Sequence, residues 1–259
     1  MGVSKVEVSL DQGMGALVMT LKTDVDQAVD ELTKSWSTTQ WGGARKDVPD
    51  PDGMGYSDGK LVNATFLYAD MVNSSGLVAA TKDKEVVASV VSAFLKTCVR
   101  IIRSHDGHVR SFDGDRVMGV FSGPSKETRA AVAALQIHHA VTFLLDPKIQ
   151  SSFADIKAAG WHLSHASGIA TSPTLMVRSG IRNNSDLVSI GVGPNLAAKL
   201  SDIRTSKHKT YIGAGTYSEL EERALIGSDK LNMWTGPHSL PMGGGSYSYY
   251  SSSYHWKIS

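Results

Sequence analysis

With 259 residues, 41% of them hydrophobic and 20% charged, the chain holds enough apolar content for one full core plus an extension. Its 26 Lys and Arg against 25 Asp and Glu leave a net charge of +1, which argues against a broad nucleic-acid surface. The single Cys98 excludes an internal disulfide framework and fits a reduced, cytoplasmic setting; without an N-terminal apolar leader core or a run of 18 apolar residues, neither signal peptide nor membrane span is expected.

Residues 1–60 read as an N-terminal extension. Lys5 to Leu10 alternates like a strand, and Ala16 to Leu21 reads as its partner across Gly13 and Gly15. Val25, Val29 and Leu32 then fall at helical spacing after Thr23, a residue suited to an N-cap. From Thr38 to Lys60 the composition turns to Gly, Pro, Asp and Ser, which predicts an irregular loop. The extension is either a regulatory or dimer-building arm or a packing decoration on residues 61–259.

Phe66 to Ala69 is a short apolar strand ending at Asp70, and Met71 to Leu77 follows with Asn73, Ser74, Ser75 and Gly76 in its turn. Val86, Val87, Val90, Val91, Phe94, Leu95, Cys98, Ile101 and Ile102 form one wide helical face over Asp83 to Ser104, with Cys98 as a small core residue. His108 to Phe112 and Asp115 to Phe121 flank Asp113-Gly114, the strongest short-range signal for a hairpin, here of type I′. Asp70 and Asp115 thus sit at the ends of two buried strands. Paired carboxylates there suit hard cations such as Mg²⁺ or Mn²⁺ that carry phosphates.

Lys126 to Leu145 predicts a second helix, with Ala130, Ala133, Ala134, Ile137 and Val141 as a face able to lie close on a sheet. His138 and His139 on it lack a carboxylate or cysteine at ligand spacing and read as surface or core residues. Trp161 to Ile169 alternates as a strand, Thr171 to Arg182 reads as a hairpin or loop, and Leu187 to Ile190 as a short strand. Gly191 and Gly193 make a turn, and Pro194 opens a helix to about Ile203 on which Asn195 and Lys199 share one face. Thr210 to Gly213 is strand-like, and Thr216 with Glu219 reads as a capping box. The Gly/Ser/Tyr-rich segment 243–253 reads as a hairpin loop and Tyr254 to Ile258 as an edge strand. The order strand, helix, hairpin, helix, strand, strand, helix, strand gives an α/β (α+β) sandwich of ferredoxin-like type.

Three blocks in this order carry a resemblance: Tyr68-Ala69-Asp70-Met71 with Gly76, Phe112 to Phe121, and Asp186 to Leu200. Together, over about Leu61 to Leu220, they resemble the catalytic domain of class III nucleotide cyclases. The departures within them are most similar to the bacterial pyrimidine cyclases of Pycsar anti-phage defence.

The resemblance implies a head-to-tail homodimer with two sites between the chains. One chain would supply Asp70, Asp115 and the Met71 carbonyl to two Mn²⁺ or Mg²⁺ ions, with Asn73, Ser74, Ser75 and Gly76 presenting N–H groups to the triphosphate. The other would supply Asn195 to orient the ribose and Lys199 to face the pentacovalent phosphate, as the 3′-hydroxyl attacks in line and pyrophosphate leaves.

Lys199 stands where purine cyclases usually carry an arginine, and lysine cannot form the bidentate guanidinium fork. Ser111 and Val188 occupy the two base-reading positions without the adenine-reading residues. Arg110 and Tyr68 are candidates for a smaller pyrimidine pocket, although strand alternation opposes Arg110 and Ser111 unless a bulge intervenes. The overall likeness favours UTP and a cyclic UMP product acting on a separately encoded effector. The other readings are a cytidylate cyclase, a guanylate or broad-specificity cyclase, and a non-catalytic nucleotide-sensing module.

Overall fold

The computed structural model describes residues 12–42, 46–181 and 184–258. The chain divides into two compact units, Met1–Ser37 and Thr38–Ser259. In the first, α1 (Gln12–Asp30) continues into a 3₁₀ turn, Glu31–Thr33. The segment Ala16 to Leu21 is therefore helical, not a strand. The apolar spacing of Val18, Leu21, Val25, Val29 and Leu32 runs unbroken through it, and that period overrides the turn signal of Gly13 and Gly15. The strand expected over Lys5 to Leu10 lies outside the described residues. Leu21, Val25, Val29 and Leu32 are all exposed.

The second unit is built on a mixed nine-stranded sheet of order β3-β4-β2-β5-β7-β9-β8, with β1 added on β2 and β6 on β5. Its elements are β1 (Ser37–Trp41), β2 (Asp58–Val72), α2 (Ser74–Ala80), α3 (Lys84–Ser104), β3 (His108–Asp113), β4 (Arg116–Phe121) and α4 (Lys126–His139). There follow α5 (Asp146–Ser152), α6 (Ala154–Ala158), β5 (Ser164–Ile181), β6 (Asn184–Ile190) and α7 (Val192–Ser201). The chain ends with β7 (Thr210–Gly213), α8 (Ala214–Tyr217), α9 (Glu222–Leu225), β8 (Thr235–Met242) and β9 (Gly245–Ser252). None of the described helices is long and apolar enough to cross a membrane.

Two cores flank the sheet because β2 alternates between apolar faces. Leu67, Ala69 and Met71 pack with Val90, Phe94 and Cys98 of α3 and with the alanine face of α4. Phe66 and Ala64 pack on the other side with Leu196, Ala197 and Leu200 of α7. Burial pushes the Cys98 thiol up, so it stays protonated in this core. Asp83 caps α3, accepting from the backbone N–H of Glu85 at 2.8 Å.

Several expectations are corrected. The predicted loop from Thr38 to Lys60 contains β1, and β2 already begins at Asp58. Residues 171–181 continue β5, because β2 pairs along it from Gly59↔Val177 to Val72↔Ser164. Pro173 is tolerated there: β7 pairs only with residues 167–169 and β6 only from Leu175 onward, so one side of Pro173 needs no N–H. Pro194 is the third residue of α7, not the first. Thr216 lies inside α8, where its hydroxyl accepts from the Thr171 N–H at 2.8 Å instead of capping. The Gly/Ser/Tyr-rich segment is strand β9, paired with β8 through a turn at Gly243 and Gly244, φ 60° and 77°. Tyr254 to Ile258 forms no strand, and instead Trp256 donates to the Leu135 carbonyl at 3.0 Å across α4.

Candidate active site

The hairpin between β3 and β4 turns at Gly114-Asp115, not at Asp113-Gly114, since Asp113 pairs with Arg116. Gly114 takes φ +60° and Asp115 has no positive φ, the pattern of a II′ turn with glycine first. The one-residue shift places Asp115 on the tip beside the end of β2. There Asp70 is the Cα partner of Arg116 on β4 and of Ala166 on β5. Sheet register therefore brings together two carboxylates 45 positions apart in the sequence.

The two aspartates differ in state. Asp70 is buried, 6% exposed, and its carboxyl is pushed above the usual range by that burial; Arg116 and Arg204 pull it back down, and the charge of Asp115 pushes it up again. Arg204 Nη2 donates to Asp70 Oδ2, and Arg116 Nε lies 3.5 Å from Oδ1. Arg116 also donates to Asp202 at 2.8 Å. Asp115 keeps a buried Oδ2 with no hydrogen-bond partner. An orphaned buried carboxylate oxygen next to a second carboxylate fits a hard divalent cation. Among the described residues no group of three or more His, Cys, Asp and Glu gathers for a metal. Two carboxylates and a backbone carbonyl such as that of Met71 match a cation that takes its remaining ligands from phosphate and water.

Tyr68 lies two residues before Asp70, on the same face of β2, half-buried, with its phenol pushed up by burial. Asn73 adopts the left-handed conformation at φ 60° to open α2, and its carbonyl accepts from Trp161 Nε1 at 2.9 Å. The Gly76 N–H returns to that same carbonyl at 3.1 Å, so Ser74 and Ser75 lie at the forward edge of this turn. A Cβ on Gly76 would lie 2.3 Å from the Asn73 amide nitrogen, so a larger residue there would displace the Asn73 side chain.

The remaining candidates point elsewhere. Asn195 and Lys199 are both exposed on the outer face of α7, while Leu196 and Leu200 are buried beneath them. Val188 is 42% exposed on β6, opposite Val177. A bulge interrupts β3 between Val109 and Ser111 and so breaks the alternation that opposed Arg110 and Ser111. The Arg110 guanidinium, however, donates to the Val48 and Pro49 carbonyls at 3.3 and 2.9 Å. Sequence reasoning did not single out Arg116, Asp202 and Arg204. Arg116 had a signal, being adjacent to Asp115; Arg204, 134 residues from Asp70, had none.

No protein-family model matches the chain. It is 40% identical over 188 residues to a protein named uridylate cyclase from Rhodovulum sp. (strain MB263), covering 71% of this chain and 78% of that one. It is also 34% identical over 244 residues to the uridylate cyclase of Burkholderia cepacia, covering 93% and 100%, and 35% identical over 207 residues to that of Xanthomonas perforans, covering 79% and 85%. Among solved structures, a bacterial light-regulated adenylyl cyclase superposes with TM-score 0.62 at 17% identity over 77% of this chain and 54% of that one. The adenylyl cyclase CyaB from P. aeruginosa superposes with TM-score 0.57 at 21% identity over 75% and 95%.

Proposed function

This chain belongs to the uridylate cyclase family, with the fold of class III nucleotide cyclases, and we propose that it converts UTP to cyclic UMP and pyrophosphate. The observation that carries the reading is Asp70 and Asp115 side by side at the strand ends, one of them with an unpartnered buried oxygen. Two Mn²⁺ or Mg²⁺ ions would lower the pKa of the ribose 3′-hydroxyl and offset charge on the triphosphate. Asp70, Asp115 and the Met71 carbonyl would hold them. Asn73, Ser74, Ser75 and Gly76 form the turn facing the phosphates.

Asn195 and Lys199 face outward, which supports a head-to-tail homodimer in which they complete the site of a second copy. There Asn195 orients the ribose and Lys199 supplies positive charge to the phosphate in the transition state. Tyr68, on the face of Asp70, fills the space a purine would need, with Ser111 and Val188 as neighbours of the base. The bonds of Arg110 to Val48 and Pro49 support a tethering role over a base contact. The catalytic machinery lies within residues 61–259. The product is a messenger in cytoplasmic Pycsar anti-phage defence, acting on a separate effector.

The test is incubation of the purified chain with Mn²⁺ and each of UTP, CTP, ATP and GTP, with products identified by mass spectrometry. Cyclic UMP is expected, and Asp115→Ala should abolish it. Cyclic CMP or a cyclic purine nucleotide would refute the base assignment but leave the metal reading standing. No product from any nucleotide would favour a sensing module.

A further inference from the structure

Both oxygens of Asp70 are engaged by arginines of the same chain. Arg204 donates to Oδ2, and Arg116 faces Oδ1 from 3.5 Å. Arg116 is pinned from its far side by Asp202 at 2.8 Å, and Arg204 rests on the carbonyls of Ser201 and Ile203. Charge thus alternates along Asp202, Arg116, Asp70 and Arg204, and both residues after α7 belong to this row. Asp115 stands outside it with its buried Oδ2 unpartnered. The two carboxylates are therefore prepared differently: one is closed by cations and the other is open.

A divalent ion shared by Asp70 and Asp115 competes with these guanidinium groups for the same carboxylate. Their positive charge also repels a dication arriving alone. The two arginines are not equally free to leave. Arg116 sits in sheet register opposite Asp70 and is clamped by Asp202, with 25% of its side chain exposed; Arg204 lies on the irregular segment after α7 with 39% exposed.

We infer that Arg204 is an internal counter-ion of Asp70 that competes with divalent cations for the same carboxylate and keeps the nucleotide-free protein in a weak metal-binding state. The inference rests on the reading of Asp70 as a metal ligand. Entry of the cation with a triphosphate resolves the competition, because the displaced guanidinium then gains anionic phosphate oxygens, whereas the bare ion leaves it only the neutral carbonyls of Ser201 and Ile203 and water. Arg204 is a positioning residue in this account, acting through Asp70. Loss of one partly exposed charge-assisted hydrogen bond should raise cation affinity about tenfold.

The experiment measures Mn²⁺ binding to the nucleotide-free full chain by calorimetry and by the electron paramagnetic resonance signal of free Mn²⁺. Wild type, Arg204→Gln, Arg204→Lys and Asp70→Asn are compared, with circular dichroism to verify folding. Arg204→Gln should bind about tenfold more tightly than wild type, and Arg204→Lys, which keeps the charge but not the fork, should fall between them. Equal or weaker binding by folded Arg204→Gln overturns the inference. If that variant does not fold, Arg204→Lys decides: tighter binding than wild type supports the competition, and unchanged binding overturns it. Asp70→Asn should lose the high-affinity site. If it binds as wild type does, the metal reading itself fails.

Discussion

Replacement of Gly168 by alanine tests how the sheet sets the position of α7. Gly168 lies on β5 between Tyr68 of β2 and Tyr211 of β7, and α7 crosses directly over it. A Cβ at Gly168 would stand 2.1 Å from the Ala197 carbonyl oxygen, 2.4 Å from the Ser201 nitrogen and 2.8 Å from the Leu200 Cβ. Two of these obstacles are helix backbone, so no rotamer change relieves the overlap. Ordinary contact lies near ~3.5 Å, and α7 must retreat by more than about 1 Å. That retreat loosens Leu196, Ala197 and Leu200 from Phe66 and Ala170. Overpacking of this kind costs about 3 kcal/mol, which for a domain of this size lowers Tm by roughly 6–12 °C. Asn195 and Lys199 move with the helix, so kcat should fall on the order of tenfold or more even well below the transition. Thermal melts followed by circular dichroism, paired with turnover at a temperature where both proteins are folded, check both parts. Gly215→Ala serves as control, because nothing lies within 4 Å of its added Cβ. If Gly168→Ala melted within about 2 °C of wild type, the close approach of α7 to β5 would be refuted.

Arg110→Ala should lower stability by about 1–2 kcal/mol, through loss of the bonds to the Val48 and Pro49 carbonyls, and leave the choice among the four nucleotides unchanged. A changed base preference in the nucleotide assay would return Arg110 to the pocket. Acid should destabilise the fold through its buried histidines. Burial holds His138 below the ordinary value of 6.5, and His165 well below it. The unfolded chain takes up protons near 6.5 that the folded chain refuses, so this contribution to stability is flat above that pH and is lost as pH falls below it. Urea melts at pH 7.5 and 5.5 should differ, and His138→Gln should narrow the gap. Equal midpoints for the wild type would contradict the sign.

What was legible in the sequence was what local pattern encodes. The apolar face from Val86 to Ile102 gave α3 to within a residue, and the exposed pair Asn195 and Lys199 over buried Leu196 and Leu200 followed from i, i+4 spacing. The errors lie where a local signal was outweighed by a distant partner. Ser172-Pro173-Thr174 looks like a turn, but β2 supplies a full-length neighbour that holds it extended. Ser and Tyr alternating from 246 to 249 and followed by Tyr250 look like low complexity, yet their period of two is a strand, with Tyr247 and Tyr249 packed against the α7-side core and Tyr250 against the α3/α4 side. The aspartates belong to both cases at once. Each could be placed at a strand end from its own neighbourhood, but their difference in state could not. Asp70 is closed because Arg204, far along the chain, is delivered to it by the exit of α7, and α7 is aimed by its close seat on Gly168. The geometry that presents Asn195 and Lys199 to solvent is thus the same geometry that places the Arg204 counter-ion on Asp70. A shift of α7 should therefore alter metal affinity as well as turnover.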